Sequence, residues 1–401
     1  MSEAIDNAIP EAGKSDEVKL LAIDANELAG YVIQTGRPWW RRRLCVAALR
    51  GRVPETRVVG LLNRIRDPEE TSEIRIALLD VLGDRSELLP WLQAQGESDA
   101  LGLYEATLKA RGVLGDLTAA PQLSTLANML RGRQREIGEA ALDLLVERHG
   151  AAAVEAAIGH ERPEDRVFAN RMRSRAGADL SAAFADPDVG VARGACDLVI
   201  SSGIPDDEML LDHVVTGPTT DSRLWAAYAL HRRGRDIREL WHAIDSPRVE
   251  LPELPADVRA AIVRHYPGET RTDPRWLVEQ ACVDAPPPPD EEAQLARAVA
   301  ALDAAALAPR APRPIGEVNQ QGEGTYHVIE LGDGSAVSVS NLGAFAGGED
   351  DNPRARAALE GAGFRWIDDE LGKLVIPGLP VYYFRYRDAL DLWTLLFYWQ
   401  D

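Results

Sequence analysis

Along residues 37 to 280, apolar side chains recur at i, i+3, i+4 and i+7 in short stretches. Each stretch is closed by a glycine, at Gly51, Gly83, Gly115, Gly150, Gly177, Gly203, Gly234 and Gly268. The intervals between these glycines run from 26 to 35 residues, too short for separate domains and too even for scattered loops. Each stretch predicts a helix with one apolar stripe. The glycine predicts its end, because a left-handed residue after the last helical turn costs glycine little. Weaker amphipathic stretches at Glu87–Gln95, Leu123–Leu130 and Asp236–Ile244 lie between a glycine and the next strong stretch, so the unit is a helix pair. One such pair cannot offset the entropy of ordering its own chain, and stacking against neighbours is required.

The strong helix of several units opens on an arginine followed by small and branched apolar residues, at Arg43, Arg75, Arg193, Arg223 and Arg259. Turns at Asp67–Pro68, Asp186–Pro187, Gly217–Pro218 and Ser246–Pro247 precede it, and the spacing predicts proline in the first helical turn. This order of turn, arginine and Ala/Leu positions resembles HEAT repeats, best over Asp67–Asp84 and Asp186–Gly203. The resemblance implies a mainly α fold, a HEAT-like α-solenoid of helix pairs over residues 19–284; a globular all-α bundle is the structural alternative. Residues 1–18 are acidic and polar and predict a disordered tail.

Prolines 286–289 and a second proline cluster after Ala308 bracket one alanine-rich helix, expected to cap or bridge the end of the array within a linker over 285–314. Beyond Pro312 lie 12 of the 24 aromatic residues, enough for a separate core in a small α+β domain over 315–401. Its expected elements are a hairpin turning at Gly332–Gly334, a helix capped by Asn352 and started by Pro353, and strands at Phe364–Ile367, Lys373–Ile376 and Pro380–Tyr386. In the last of these, Tyr382, Phe384 and Tyr386 alternate onto one face. The terminal Asp388–Asp401 segment is a helix or a last strand.

A content of 45% hydrophobic and 27% charged residues is that of a folded soluble protein. No apolar run is long enough to span a membrane, and the N-terminus lacks the order of a signal peptide; the expectation is a cytoplasmic, bacterial-type protein. Cys45, Cys196 and Cys282 fall at no metal-ligand spacing, the histidines form no zinc motif, and neither a metal nor a cofactor is expected. Cys45 and Cys196 replace small apolar residues on helices and are expected to be buried, unreactive thiols.

Net charge is −20, yet residues 37–66 hold nine arginines against one acid, Glu55. On a helix beginning at Pro38, Trp39, Arg42, Arg43, Val46 and Arg50 share a face opposite Trp40, Leu44, Ala47 and Ala48. An arginine-tryptophan stripe suits phosphate, nucleic acid or an acidic peptide, because guanidinium forks pair with oxyanions and stack on rings. The competing reading is a solvated face whose arginines pair with acids of neighbouring units. Further clusters at Arg131, Arg133 and Arg135, at Arg171, Arg173 and Arg175, and at Arg232, Arg233 and Arg235 would form a basic groove if they lined one side. However, 40 of the 44 basic residues are arginine, which speaks for composition as much as design.

The acidic run Gly348–Asn352 lacks the ligand alternation of a calcium loop and suits a helix start. His327 has no evident acid or nucleophile partner. With no catalytic constellation in view, the reading leans against an enzyme. The leading expectation is a scaffold that binds a protein partner on its solenoid face. The alternative is nucleic-acid binding or base repair, since some HEAT-like proteins resemble a glycosylase that cradles DNA; a lyase resembling the HEAT-like phycobilin lyases is the weakest option. Oligomeric state is not legible.

Overall fold

A computed structural model of the chain describes residues 2–11, 14–96, 102–129, 132–284, 287, 289–348 and 352–400. It is mainly α-helical, and among the described residues strands fall only in the C-terminal region. The chain divides into two compact units, Met1–Met172 and Arg173–Asp401.

The first unit contains α1 (Ser2–Ala8), α2 (Glu17–Ala22), α3 (Ala25–Ile33), α4 (Trp39–Ala48), α5 (Glu55–Arg66), α6 (Ser72–Leu82), α7 (Leu89–Gln93), α8 (Leu103–Val113), α9 (Ala120–Ala127), α10 (Arg133–His149), α11 (Ala151–Ile158) and α12 (Pro163–Arg175), within which the division falls. Successive strong helices α4, α6, α8 and α10 pack side by side, while α3 and α5 pack beside each other and against α4 and α6. The segment expected to be a disordered tail instead contributes α1, because Ile5, Ala8 and Ile9 find places in the core shared by Leu28, Val46 and Leu61.

Six of the eight closing glycines have φ between 74° and 91°, as a left-handed helix stop requires. Gly83 and Gly268 act differently. A Cβ on Gly83 would run into the Leu79 carbonyl and Ala110, and one on Gly268 would overlap Leu277, so both are kept by close packing. The proline turns lie ahead of the helices rather than inside them: the caps are Thr71, Asp188 and Thr219, and Asp188 accepts from Gly190 and Val191 amides at 2.9 and 3.1 Å.

Four of the arginines that open strong helices turn inward and bond the chain behind them, while Arg193 instead pairs with Asp197, four residues ahead, at 3.0 Å. Arg42 Nε donates to the Val32 carbonyl (2.8 Å), Arg75 Nε to Ile65 (3.0 Å) and Arg259 Nη1 to Val249 (2.9 Å), each ten residues earlier. Arg223 Nε reaches the Gly217 carbonyl at 2.9 Å. Val32 and Ile65 stand in the last turn of α3 and α5, where carbonyls have no intrahelical donor. After each of these four inward arginines the residues at +3, +4 and +7 are buried: Cys45, Val46, Leu49; Leu78, Leu79, Leu82; Ala226, Ala227, Leu230; Ile262, Val263, Tyr266. The aligned position in the first unit is therefore Arg42, one residue before the Arg43 expected from the sequence.

The second unit contains α13 (Val189–Ser202), α14 (Asp207–Thr216), α15 (Thr220–Arg232), α16 (Arg238–Ala243), α17 (Ala256–His265), α18 (Pro274–Cys282) and α19 (Glu291–Ala304). The C-terminal part adds β1 (Arg313–Pro314), α20 (Ile315–Val318), β2 (Glu323–Gly324), β3 (Tyr326–Glu330), β4 (Ala336–Ser340), β5 (Phe345–Gly347), α21 (Pro353–Gly361), β6 (Arg365–Trp366), α22 (Asp369–Gly372), β7 (Val375–Tyr383), β8 (Tyr386–Asp391), α23 (Leu392–Leu396) and β9 (Trp399–Gln400). One sheet has the order β1-β3-β4-β5-β6, while β2 pairs with β9 and β7 with β8. The expected hairpin is β3–β4, and Asn352 caps α21 by accepting from the Ala355 amide at 3.0 Å.

Two expectations for this region are corrected. The proline-bracketed α19 is part of the C-terminal fold and not a linker helix; Ala298 and Leu302 lie in one core with Ile329, Val339, Leu359 and Trp366, and the Gln294 amide donates to Ser340 and Gly343 carbonyls at 2.6 and 3.0 Å. The aromatic strand also turns at Phe384–Arg385, so Tyr386 stands on β8, opposite Tyr383. The terminal segment supplies strand and helix in turn. A further core joins Val258, Ile262 and Trp276 to Phe345, Ile376 and Leu395, so the last repeat helices and the C-terminal elements share apolar packing.

Arg42 and Glu70 are both 2% exposed in their side chains and pair through both guanidinium nitrogens. Substituting Arg42→Met strands a buried carboxylate and is expected to cost about 3–5 kcal/mol in urea unfolding; adding Glu70→Leu recovers part of that loss. Arg43→Ala changes stability by less than about 0.5 kcal/mol. Equal, small losses for Arg42 and Arg43 contradict the inward assignment.

Candidate functional site

Helix α4 divides its arginines differently from the expected stripe. Arg41, Arg42, Cys45, Val46 and Ala48 are buried, whereas Trp39, 43% exposed, and Arg43, Ala47 and Arg50 face solvent. One residue of register rotates a helix position by about 100°, and it removes Arg42 from any ligand surface. Arg41 is held by Asp6 at 2.8 Å.

The exposed side of α4, α6, α8 and α10 carries charges of alternating sign. Asp80 of α6 binds Arg50, in the turn after α4, through one oxygen and Lys109 Nζ of α8 through the other, the latter at 2.7 Å. Gln134 of α10 donates to Glu105 of α8 at 2.6 Å. The hydrogen bond from Lys109, joined by attraction from Lys109 and Arg50 and a weaker bond from Arg50, holds the Asp80 carboxyl below its ordinary range against the opposing effect of burial. Arg50, Asp80 and Lys109 stand about one repeat apart, 30 and 29 residues, so writing the units beneath one another would have disclosed the ladder. Reading α4 alone missed it.

Beside this ladder lies a groove of about 480 Å³. Ile76, Leu79, Ala106 and Ile137 form its apolar floor, and Asp80, Glu105, Lys109, Arg133 and Gln134 its rim. Gly102, φ 82°, caps α8 at one end of the groove.

The remaining sequence candidates are placed as follows. Arg131 and residues 349–351 of the acidic run lie outside the described residues. Arg135 pairs with Glu139 at 3.0 Å, and Arg171 reaches the same carboxylate at 3.6 Å. In the second unit Arg233 donates to the Pro205 carbonyl (2.9 Å), to Asp207 (3.1 Å) and to the Val199 carbonyl, so it stitches helix ends together instead of offering a binding group. Arg232 donates to the Tyr228 hydroxyl at 3.0 Å and stays exposed, as does Arg235. His327 finds an acid after all, with Nε2 3.4 Å from Glu291 of α19.

A second cleft, of about 690 Å³, is lined by Arg264, Arg356 and Arg365 together with Asp257, Glu360 and Asp368. Arg365 pairs with Asp257 at 2.9 Å and Arg356 with Glu360 at 3.0 Å, so much of its charge is matched within the wall. His213 Nε2 lies 2.6 Å from Ser222 Oγ, a pair the sequence reading did not find, but Ser222 is fully buried and unreachable as a nucleophile. All three cysteines are free and buried, and burial pushes the Cys45 thiol up to about 12 and the Cys282 thiol up to about 11. Among the described residues no group of three or more His, Cys, Asp or Glu is arranged to hold a metal ion, and no helix is long and apolar enough to cross a membrane.

The chain matches no protein-family model, and no curated protein matches it.

Asp80→Asn leaves Arg50 and Lys109 facing each other across a neutral amide; the expected loss is at most about 1 kcal/mol, because the ladder is solvated. Since the Asp80 carboxyl titrates below its unfolded value, its contribution is full above about pH 4 and is lost as pH falls through the folded value. Urea unfolding at stepped pH should show the parent and Asp80→Asn curves converging in acid. Curves that stay parallel to the lowest pH would show that Asp80 is not paired.

Proposed function

We propose that the chain is a non-enzymatic, HEAT-like α-solenoid scaffold of the cytoplasm that holds a protein partner on the exposed side of α4, α6, α8 and α10. One observation carries this reading: an apolar-floored groove is rimmed by charges that already neutralise one another. Nucleic acid is held by uncompensated positive charge and the release of counterions. Here Asp80 and Glu105 balance Lys109 and Arg133 on the rim and Arg42 is buried, so the groove itself offers phosphate no net positive charge. A protein segment asks instead for an apolar centre with a polar rim, which the floor of Ile76, Ala106 and Ile137 and its charged border supply. Three free, buried cysteines suit a reducing compartment.

The test is a pull-down from native lysate with the full chain and with Ile76→Glu/Ile137→Glu, both at half-buried positions of the groove. The parent retains a stoichiometric protein that the double variant loses, while circular dichroism of the two is the same. Retention of that protein by the variant, or of none by the parent at any salt, ends the proposal. A DNA duplex of about 20 base pairs at about 50 mM salt is expected to give no saturable anisotropy change, and a binding curve that weakens steeply with salt would favour the nucleic-acid reading.

A further inference from the structure

The β7–β8 hairpin is covered along one edge and open along the other. On the β7 side, the Pro377 carbonyl accepts from Trp276 Nε1 (3.0 Å), the Gly378 carbonyl from the Asp273 amide (2.8 Å) and the Tyr382 carbonyl from the Tyr398 hydroxyl (2.8 Å). Helix α18 and the C-terminal segment therefore occupy that edge.

The register decides what β8 presents. Pro380 has no N–H and stands opposite Ala389, so this is a non-hydrogen-bonded pair, and by alternation Tyr382 and Arg387 form the next one. The outward Tyr382 carbonyl, bound by Tyr398, agrees with this phase. The N–H and C=O groups of Arg387 and Ala389 thus point away from β7. Residues 385–389 are exposed, Tyr386 to 71%, and among the described residues no hydrogen bond reaches the backbone of Arg387 or Ala389 from the open side.

Open edges are ordinarily blunted by proline, by a bulge, by shortness or by charged side chains, and of these β8 has only the last, in Arg387, Asp388 and Asp391, which leave main-chain pairing open to a segment of matching charge. Strand β8 spans six residues without proline, and the irregularity of the ladder lies between Val375 and Pro380, on β7. The tip is also held in an unusual form. Phe384 and Arg385 have φ of 42° and 75°, a two-residue turn that normally takes Asn-Gly. Phe384 rests on Trp399, with ring centroids 5.6 Å apart, which keeps the turn in place. The strain sets two cations beside the open edge: Arg385 is exposed, and Arg387 lies 5.1 Å over the Tyr382 ring, with Glu269 at 3.3 Å.

We infer that β8 is a strand-addition edge, which takes an extended, acidic segment of a partner protein as a third strand beside Arg387 and Ala389. Main-chain bonds to those two residues would supply affinity, and carboxylates facing Arg385 and Arg387 would supply selectivity. A second copy of the chain is the poorer occupant, because it brings the same arginines to the edge. The site is separate from the groove of the first unit and stands or falls without it.

The test uses the full chain and two synthetic probe peptides, one alternating Glu with Val and Thr, the other alternating Lys with Val and Thr. The Glu peptide is expected to bind about tenfold more tightly than the Lys peptide and to slow hydrogen exchange at the Arg387 and Ala389 amides. Ala389→Pro removes an outward N–H and leaves the pairing with Pro380 intact, and it should weaken the Glu peptide about tenfold or more. Arg385→Glu, at an exposed turn position, should weaken it without moving the thermal midpoint, so a folding defect in Ala389→Pro would not shelter the inference. Absence of Glu-peptide binding, binding indifferent to both substitutions, or protection of the same amides by concentration-dependent dimerisation would overturn it.

Discussion

A buried guanidinium that reaches back to the preceding chain is the constraint on which the repeat depends. A helix end leaves carbonyls without donors, and a helix pair must bury that end against its neighbour. Arginine at the start of the next strong helix meets the need, with five donors in a planar fork and no proton to lose. Arg42, Arg75 and Arg259 each take the carbonyl ten residues behind. In two cases a buried acid completes the site, Glu70 beside Arg42 and Glu279 beside Arg259. The bond fixes the rotation of the helix, and with it which residues at +3, +4 and +7 enter the core and which face out. An arginine-rich segment in an acidic chain is thus largely a structural allotment.

That rotation explains why the architecture was readable and the site was not. Helix pairs, six of the eight glycine stops and the hairpin at Gly332–Gly334 are governed by local rules, periodicity and turn chemistry, and they appear where those rules place them, whereas C-terminal aromatics such as Phe345 and Phe397 share a core with Val258, Ile262 and Trp276 instead of forming one of their own. The face of α4 depends on a one-residue choice between Arg42 and Arg43. Both are arginines followed by apolar residues, and only the partner carbonyl at Val32 distinguishes them. The burial of α1 and the packing of α19 beneath the sheet are tertiary outcomes, since neither segment carries a signal naming the surface it will cover. The turn at Phe384–Arg385 was hidden because it contains none of the residues that mark such turns. The Arg50–Asp80–Lys109 ladder was in principle legible, because its members recur at the repeat interval, although no single helix displays it.

The chemistry of the exposed faces follows from the same allotment. Several cations not used in latches, Arg41, Arg50 and Lys109 among them, are met by carboxylates, so the first unit offers mixed charge around an apolar groove, and the second offers an open strand edge flanked by arginines. Neither gathers a nucleophile with a base. Among the described residues Ser222 and Ser246 stand against imidazoles: Ser222, beside His213, is sealed in the core, and Ser246, 2.8 Å from Nδ1 of the exposed His242 and four residues beyond it, belongs to neither the groove nor the strand edge.

The most direct test of the central claim is hydrogen exchange by mass spectrometry on the full chain, alone and with the protein it retains from lysate. The account predicts protection in peptides from Leu103–Val113 and Arg133–His149, the helices that border the groove. Protection confined to the opposite helices α3 and α5, with α8 and α10 exchanging as in the free chain, would contradict it.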